Sequence, residues 1–302
     1  MEIKKPVGRF APSPSGRMHL GNVFAALMAY LAVRSQDGTM LLRIEDLDRQ
    51  RCREEYIDTL RSDLAWLGLT YDQETPPQSR RTEIYREYFE KLKEMDLLYP
   101  CYCTRAQLHS VNAPHQSDGT YVYPGTCRNI ENPPVDRMPS WRVKVPDRKY
   151  RVMDRIQGIY EENLAEKCGD FVVCRSDGAF VYQLAVTVDD GLSGVNQVVR
   201  GVDLLSSVPR QMYLQELFGF AAPEYGHIPL LVAPDGRRLS KRDQDMDLGY
   251  LRSHRTAPEI LGSLACASGI LDHYEPVSAE ELVGEFSWEK LKKEPICLNL
   301  TG

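Results

Sequence analysis

The chain lacks any apolar run that approaches the roughly 20 residues needed to cross a bilayer. Its first five residues, MEIKK, lack the apolar stretch of a signal peptide, and the sequence contains no internal repeat or low-complexity tract. These absences argue against membrane, secreted and repeat proteins. With 302 residues, of which 42% are hydrophobic, the chain can bury a full core. We therefore expect a globular, cytoplasmic protein that has no contact with a membrane.

An excess of positive charge is also missing, because the formal net charge is -6. Proteins that coat nucleic acid without selectivity carry a positive surface, so this class is disfavoured. A local contact with RNA stays open, since basic residues gather in three places. These are Arg49 with Arg51 and Arg53, Arg80 with Arg81, and Arg237 with Arg238, Lys241 and Arg242.

Eight cysteines occur without a secretory signal, which favours reduced thiols or metal ligands over disulfides. Cys101 and Cys103 form a C-x-C pair, and Cys127 adds a third sulfur. Three sulfurs on short loops suit structural zinc, and a fourth ligand would complete a tetrahedral site. The alternative is three reduced thiols in a loop without metal. Cys168 and Cys174 have no matching partners, and we expect them to be ordinary buried thiols.

A phosphate-binding helix start is predicted near the N-terminus. Residues 9–22 (RFAPSPSGRMHLGN) lead from a short predicted strand, Val7 to Ala11, into a helix that begins near His19 and Gly21. The free N–H groups and positive dipole end of such a helix attract phosphate. Gly21 leaves the backbone accessible to a nucleotide. A histidine at this position is also common as a simple helix cap.

A second segment far downstream, residues 238–242 (RLSKR), places Lys241 on a loop that follows the turn residues Pro234, Asp235 and Gly236. A lysine on such a loop can reach a triphosphate. Either segment alone occurs often by chance. Together, in a strand-turn-helix context, they predict one nucleotide site that forms on folding.

Alternating elements connect these segments. Residues 40–45 are predicted to form a strand that completes a β-α-β unit, with Glu45 at its carboxyl edge, where α/β sheets bind ligands. Residues 100–174 lose helical periodicity and are predicted to form an insertion of short strands and loops. The other predicted elements are helices around Ile57 to Leu67 and Ile84 to Met95, strands over 181–188, 197–200 and 228–232, a helix over 209–218, and helices beyond Pro258.

These segments resemble the glutamyl branch of the class I aminoacyl-tRNA synthetases. Residues 9–22 are similar to its HIGH region and residues 238–242 to its KMSKS segment, with Asn22 and Leu239 as variations that this branch tolerates. Ser13 fits the glutamyl pattern, whereas glutaminyl enzymes carry a Glu there. Further segments match in the same order, namely 43–48 (RIEDLD), 78–81 (QSRR), 99–104 (YPCYCT) and 199–205 (VRGVDLL).

The resemblance implies a fold and a division of the chain. The fold is α/β, with a Rossmann-like, doubly wound parallel sheet over residues 1–99 and 175–245. Residues 100–174 would form an inserted zinc-containing subdomain that binds the acceptor. Residues 246–302 would form a short helical part similar to a stem-contact segment. The zinc ligands implied are Cys101, Cys103, Tyr123 and Cys127, with Tyr121 and His115 as the other candidates for the fourth.

The resemblance also implies ATP-dependent activation of L-glutamate. His19 and Lys241 would be the catalytic residues, and Gly21, Asn22 and Ser240 would join them in binding ATP. Magnesium would enter with ATP, carried mainly by phosphate oxygens and water. The glutamate pocket implied by the resemblance consists of Arg9, Ser13, Glu45, Tyr182 and Arg200. The alternative role for Arg9 or Glu45 is a structural ion pair.

The sequence ends at Gly302, where complete glutamyl enzymes continue into an anticodon-binding part. In this it resembles short members of the family that attach glutamate to queuosine at the wobble position of tRNA(Asp). We therefore expect a monomer that acts on the anticodon loop. Two alternatives stay open: a truncated synthetase that charges the 3′ end of tRNA, and a non-catalytic paralogue that binds ATP or tRNA.

Overall fold

Parallel strands alternate with helices, as the sequence predicts. The computed structural model describes residues 5–104, 107–108, 122–232, 236 and 247–298. Strands β1 to β12 are Val7–Phe10, Thr39–Arg43, Gln73–Thr75, Leu98–Cys101, Ser140–Val143, Lys149–Asp154, Gly158–Asn163, Phe171–Cys174, Gln197–Gly201, Glu224–Ile228, Leu231–Val232 and Ile296–Cys297. Helices α1 to α9 are Leu20–Arg34, Glu54–Trp66, Thr82–Glu94, Leu164–Lys167, Tyr182–Leu192, Val208–Phe218, Leu248–His254, Ala257–Ser268 and Ala279–Glu285.

The central sheet consists of two groups of strands. In the first, β1 pairs in parallel with β2 and β2 with β3. In the second, β9 pairs in parallel with β10 and β10 with β6, while β7 adds an antiparallel edge. Asn196 joins the groups, because its N–H donates to Val7 O at 3.0 Å and its Oδ1 accepts from Val7 N–H at 2.7 Å. The parallel α/β class predicted from the sequence is therefore confirmed.

Helix α1 is buried around most of its circumference. Its side chains Leu20, Phe24, Leu27 and Leu31 are almost fully buried in the main core. A Cβ at Gly8 would lie 2.4 Å from a methyl group of Val33, so glycine allows β1 and α1 to pack closely. Even so, no helix of the described residues combines the length and apolar character needed to span a membrane.

The strand predicted over residues 181–188 is wrong, because Val181 is the N-cap of helix α5 and the other residues belong to that helix. Its apolar side chains are buried at helical spacing, with Leu184, Ala185 and Val188 in one core cluster. The hydroxyl of Thr187 donates to Gln183 O, four residues earlier, at 2.8 Å, as threonine hydroxyls do in helices. Packing against neighbouring helices thus outweighs strand propensity. The aspartates that follow, at positions 189 and 190, therefore lie on a helix.

The strand predicted over residues 228–232 is interrupted. Strand β10 ends at Ile228, and Pro229, which has no N–H to donate, separates it from β11. Strand β11 then pairs in parallel with β12, which belongs to the segment predicted as helical. Helices α7, α8 and α9 in that segment agree with the prediction.

The predicted insertion over residues 100–174 has two parts. Strands β4, β5 and β8 form a separate antiparallel sheet. The β6–β7 hairpin instead joins the central sheet through the pairing of Asp154 with Tyr225. The insertion is therefore tied to the central sheet, and the proposed domain ranges stay a prediction.

Two helical glycines give a test of packing. A Cβ at Gly262 in α8 would lie 1.9 Å from the carbonyl oxygen of Glu275, whereas a Cβ at Gly284 in α9 would meet nothing within 4 Å. We expect Gly262→Ala to lower the free energy of unfolding by about 1–3 kcal/mol through overpacking. Gly284→Ala should leave it unchanged or raise it by up to about 1 kcal/mol. Urea unfolding measures both, and equal effects would contradict the packing seen here.

Candidate functional site

A cavity of about 480 Å³ lies at the carboxyl ends of β1 and β9, beside the start of α1. It brings together side chains from distant parts of the sequence. The predicted site residues that line it are Arg9, Ser13, His19, Gly21, Asn22, Glu45, Tyr182 and Arg200. Ser240 and Lys241 lie outside the described residues.

The described residues on both sides of the predicted lysine segment adjoin this cavity. Leu231, before the segment, lines it. After the segment, Asp247 forms an antiparallel bridge with His19, and Leu248 N–H donates to Met18 O at 2.9 Å. The chain therefore approaches and leaves that segment next to the start of α1.

Asp63 on α2 forms ion pairs with one residue before the start of α1 and with one residue after the lysine segment. Its buried Oδ1 atom pairs with Arg17 Nη2 at 3.3 Å and with Arg252 Nη1 at 2.6 Å. Arg17 belongs to the turn before α1, and Arg252 belongs to α7. This carboxylate thus joins the turn that lines the cavity to the helix that follows the lysine segment.

His19 is the cap of α1. Its Nδ1 accepts from Gly21 N–H at 3.1 Å, and its own N–H donates to Asn22 Oδ1 at 3.1 Å. A Cβ at Gly21 would lie only 2.9 Å from the imidazole ring. Glycine therefore leaves room for the imidazole ring in this position as well as exposing the backbone. Asn22, which replaces the second histidine of the family motif, completes the cap.

A buried ionic network forms the floor of the cavity. Arg43 at the end of β2 pairs with Asp190 Oδ1 at 2.5 Å and with Glu45 Oε1 at 3.1 Å. Arg9 Nε pairs with Asp190 Oδ1 at 3.1 Å. The predicted substrate residues Arg9 and Glu45 are thus both held in ion pairs, which was the structural alternative for them.

The network sets the charge of its members. Burial opposes ionisation of Asp190, but Arg43 and Arg9 outweigh it and lower the pKa of that carboxyl. The surrounding carboxylates raise the pKa of Arg43 despite its burial. At Glu45, burial prevails over Arg43 and Arg9 and raises the pKa.

A second set of contacts holds Asp189. Its oxygens accept from Arg81 Nε at 2.7 Å, from Gln78 Nε2 at 2.9 Å and from Tyr85 OH at 2.9 Å. Gln78 and Arg81 belong to the QSRR segment. Sequence reasoning missed Arg43, Asp189 and this role of QSRR. The available signal was that Asp189 and Asp190 directly follow a long apolar run, where buried charges need partners.

Arg200, in β9, also lines the cavity and is held by three hydrogen bonds. Its Nη1 donates to Tyr182 OH at 3.3 Å and its Nη2 to Leu204 O at 3.3 Å. Its Nε donates to His227 Nε2 at 3.0 Å. His227 was also missed, because a single histidine in a buried strand gives no signal without its neighbours.

The arrangement can bind a small molecule that carries charges of both signs. Arg9 and Arg200 supply guanidinium groups suited to carboxylates, and Glu45 supplies a carboxylate suited to an ammonium. The capped start of α1 offers backbone N–H groups and a positive dipole end to a phosphate. The cavity thus places groups of both charge signs beside a helix start that can attract a phosphate.

The predicted metal cluster is also brought together. The sulfurs of Cys101, Cys103 and Cys127 lie within 4.8 Å of one another, with 3.5 Å between the Sγ atoms of Cys103 and Cys127. Tyr123 Oη lies 3.4 Å from Cys101 Sγ and 3.8 Å from Cys103 Sγ. Two sulfurs bound to one tetrahedral zinc would be about 3.8 Å apart. The donor set therefore fits zinc.

Burial raises the pKa of Cys103 to about 12, and a nearby metal ion would oppose that shift. Tyr123 is the predicted fourth ligand that the structure brings to the sulfurs; Tyr121 and His115 lie outside the described residues. Cys168 and Cys174 are buried thiols outside any disulfide, as predicted.

Comparisons with known proteins identify the family of this chain. The family model of tRNA synthetases class I (E and Q), catalytic domain, matches residues 6–300. The chain is 44% identical over 309 residues to the Glutamyl-Q tRNA(Asp) synthetase of Symbiobacterium thermophilum, covering 96% of this chain and 94% of that one. It is 47% identical over 237 residues to the protein of the same name from Thiobacillus denitrificans, covering 78% and 77%.

Among solved structures, a similar one is a glutamate tRNA ligase from Elizabethkingia meningosepticum, crystallised in complex with its amino acid. It superposes with a TM-score of 0.83 at 28% identity and covers 98% of this chain and 67% of that one. The likeness thus extends over nearly all of the present chain.

The buried network predicts a large effect of removing its central cation. Arg43→Met leaves Glu45 buried without its ion pair and Asp190 with Arg9 alone, which should lower the free energy of unfolding by about 3–5 kcal/mol. Arg61→Met is the control, because its pair with Glu74 is partly exposed and should contribute only about 0–1 kcal/mol. Urea unfolding at pH 7 measures both, and a loss at position 43 no greater than at 61 would refute the network's importance.

Proposed function

The chain belongs to the family of class I tRNA synthetases (E and Q), and from this premise we propose that it activates L-glutamate with ATP and transfers the glutamyl group to queuosine in tRNA(Asp). The observation that carries the proposal is the convergence of all five predicted glutamate residues on one cavity next to the capped start of α1. The relatives named Glutamyl-Q tRNA(Asp) synthetase support the acceptor.

Glutamate brings two carboxylates and one ammonium, which the cavity can match. Arg9, held from behind by Asp190, would bind one carboxylate, and Arg200 with Tyr182 would bind the other. Glu45 would receive the ammonium, whose charge opposes the upward pKa shift that burial causes there. Ser13 would donate a hydrogen bond.

Activation would form one bond and break one. An oxygen of the substrate α-carboxylate attacks the α-phosphorus of ATP, the bond to the β-phosphate oxygen breaks, and pyrophosphate leaves. Catalysis would come from positioning and from compensation of the charge that moves onto pyrophosphate. His19 and the N–H groups at Gly21 and Asn22 would hold the phosphates, and Ser240 and Lys241 would approach them from the other side. Magnesium would neutralise phosphate charge when ATP is bound.

In the second step, a hydroxyl of queuosine attacks the activated carbonyl carbon and AMP leaves with the electron pair of the acyl–oxygen bond. The hydroxyl proton is released to solvent or to the leaving phosphate. No protein nucleophile is needed. A monomeric state and a cytoplasmic location stay predictions.

A structural zinc ion is the second part of the proposal. Cys101, Cys103, Tyr123 and Cys127 would hold it, next to the β4–β5–β8 sheet. Zinc would link β4 to the segment around Cys127 and stabilise that part of the fold.

The acceptor assay tests the proposed function. Purified protein is incubated with ATP, labelled glutamate and either tRNA(Asp) that carries queuosine or the same tRNA as an unmodified transcript. We expect label only on the modified tRNA, and removal of its 3′ terminal adenosine should not change the yield. Equal label on the unmodified transcript, or loss of label when the 3′ terminal adenosine is removed, would refute the acceptor, and absence of glutamate-dependent AMP formation would refute activation.

Metal analysis tests the zinc site. Protein purified without chelators should contain one zinc per chain by elemental analysis, and Cys101→Ser should lower this content at least several-fold because a ligand is lost. Cys297→Ser is the matched control, since that thiol is exposed and lies outside the cluster. Zinc-free wild-type protein, or equal content in both variants, would contradict the proposal.

A further inference from the structure

Behind Arg200 lies a buried pair that neither the family motifs nor the proposed chemistry uses. His227 at the end of β10 and Asp154 at the end of β6 both have fully buried side chains. The His227 Nδ1 and Asp154 Oδ2 atoms are 2.6 Å apart, and His227 Nε2 accepts from Arg200 Nε at 3.0 Å. The three side chains form a line of hydrogen bonds that ends at the cavity.

The main chain fixes Asp154 independently of the histidine ring. Its Oδ1 accepts from Ile156 N–H at 3.0 Å and from Gln157 N–H at 2.8 Å, and both oxygens accept from His227 N–H at 3.1 Å. Burial opposes its ionisation, but the hydrogen bonds from His227 and Gln157 outweigh burial and lower its pKa. Asp154 is therefore an ionised group that only accepts hydrogen bonds.

These bonds determine the histidine tautomer. Because Asp154 Oδ2 can only accept, His227 Nδ1 must carry the proton, which leaves Nε2 as an acceptor in the neutral ring. Arg200 Nε has a hydrogen to donate and requires such an acceptor. Burial lowers the pKa of His227 to about 4, so the ring is neutral near pH 7.

We propose that Asp154 and His227 are positioning residues that orient Arg200 for the substrate carboxylate. Through Nε and Nη2, Arg200 is held by His227 and by Leu204 O, while its Nη1 group lies at Tyr182 on the cavity side. A guanidinium fixed in this way loses little freedom when it binds a carboxylate. This inference rests on the proposed function, because it assigns the hydrogen-bonded line of Asp154, His227 and Arg200 to glutamate binding.

The substitution Asp154→Asn tests the tautomer with almost no change in shape. The amide oxygen in place of Oδ1 can keep accepting from Ile156, Gln157 and His227 N–H. The amide nitrogen in place of Oδ2 donates to Nδ1 and forces the other tautomer, whose Nε2–H then faces the Arg200 Nε–H. In glutamate-dependent ATP–pyrophosphate exchange with tRNA(Asp) present, we expect KM for glutamate to rise at least tenfold and KM for ATP to change less than twofold.

Two substitutions at position 227 separate orientation from packing. A glutamine can place its carbonyl oxygen where Nε2 lies and keep accepting from Arg200, whereas an asparagine reaches only as far as Nδ1. We expect His227→Gln to stay within about threefold of the wild-type KM for glutamate, and His227→Asn to exceed it at least tenfold. In the His227→Gln background, Asp154→Asn should add less than twofold, because glutamine has no tautomer to invert.

The control is Asp72→Asn, the same change at a carboxylate that also accepts from a backbone N–H and from an arginine, outside the site. It should leave KM for glutamate unchanged. Wild-type protein without glutamate-dependent exchange would refute the proposed function itself. If the wild type is active and Asp154→Asn has an unchanged KM for glutamate, the positioning role of Asp154 and His227 is overturned while the proposed function stands. If that variant does not fold, equal KM values for His227→Gln and His227→Asn overturn that role.

Discussion

The buried cation of Arg43 is the constraint on which the site depends. It lies at the end of β2 and pairs with Asp190 on α5 and with Glu45 just beyond the strand. Because Asp190 also holds Arg9 of β1, one pair of opposite charges joins two strands and a helix that are far apart in sequence. Removal of Arg43 would leave Glu45 buried without its ion pair and Asp190 with Arg9 alone, so the network ties the geometry of the cavity to the stability of the fold.

A network of this kind contributes position more than net stability, because the cost of burying charges offsets much of their attraction. Its value lies in the orientation of groups that face the cavity. Asp189 is held by Arg81, Gln78 and Tyr85, so α5 is fixed relative to α3 and the residues just before it. Tyr182 at the start of the same helix is thereby placed at the cavity, next to Arg200.

The sequence alone predicts the parallel α/β class and the start of α1, because these depend on local periodicity, while the family resemblance implies eight of the residues that line the cavity. It predicts a strand where α5 lies, since the Val-Thr-Val run favours a strand until packing decides otherwise. The partners of Arg200 escaped prediction for another reason. His227 and Asp154 are 73 residues apart, and only the β6–β10 pairing brings them together.

The two guanidinium groups of the cavity are anchored in the same way but against different partners. Arg9 uses Nε to contact the anion Asp190, whereas Arg200 uses Nε to contact the neutral ring of His227. Much of the charge of Arg9 is therefore compensated inside the protein, while Arg200 donates to neutral groups at His227, Tyr182 and Leu204. A substrate carboxylate should consequently interact more strongly with Arg200, because less of the charge of this arginine is already balanced.

A direct aspartate partner would also have held Arg200, but it would have cancelled much of the charge of the guanidinium. Placing histidine between the arginine and Asp154 provides orientation and preserves the attraction.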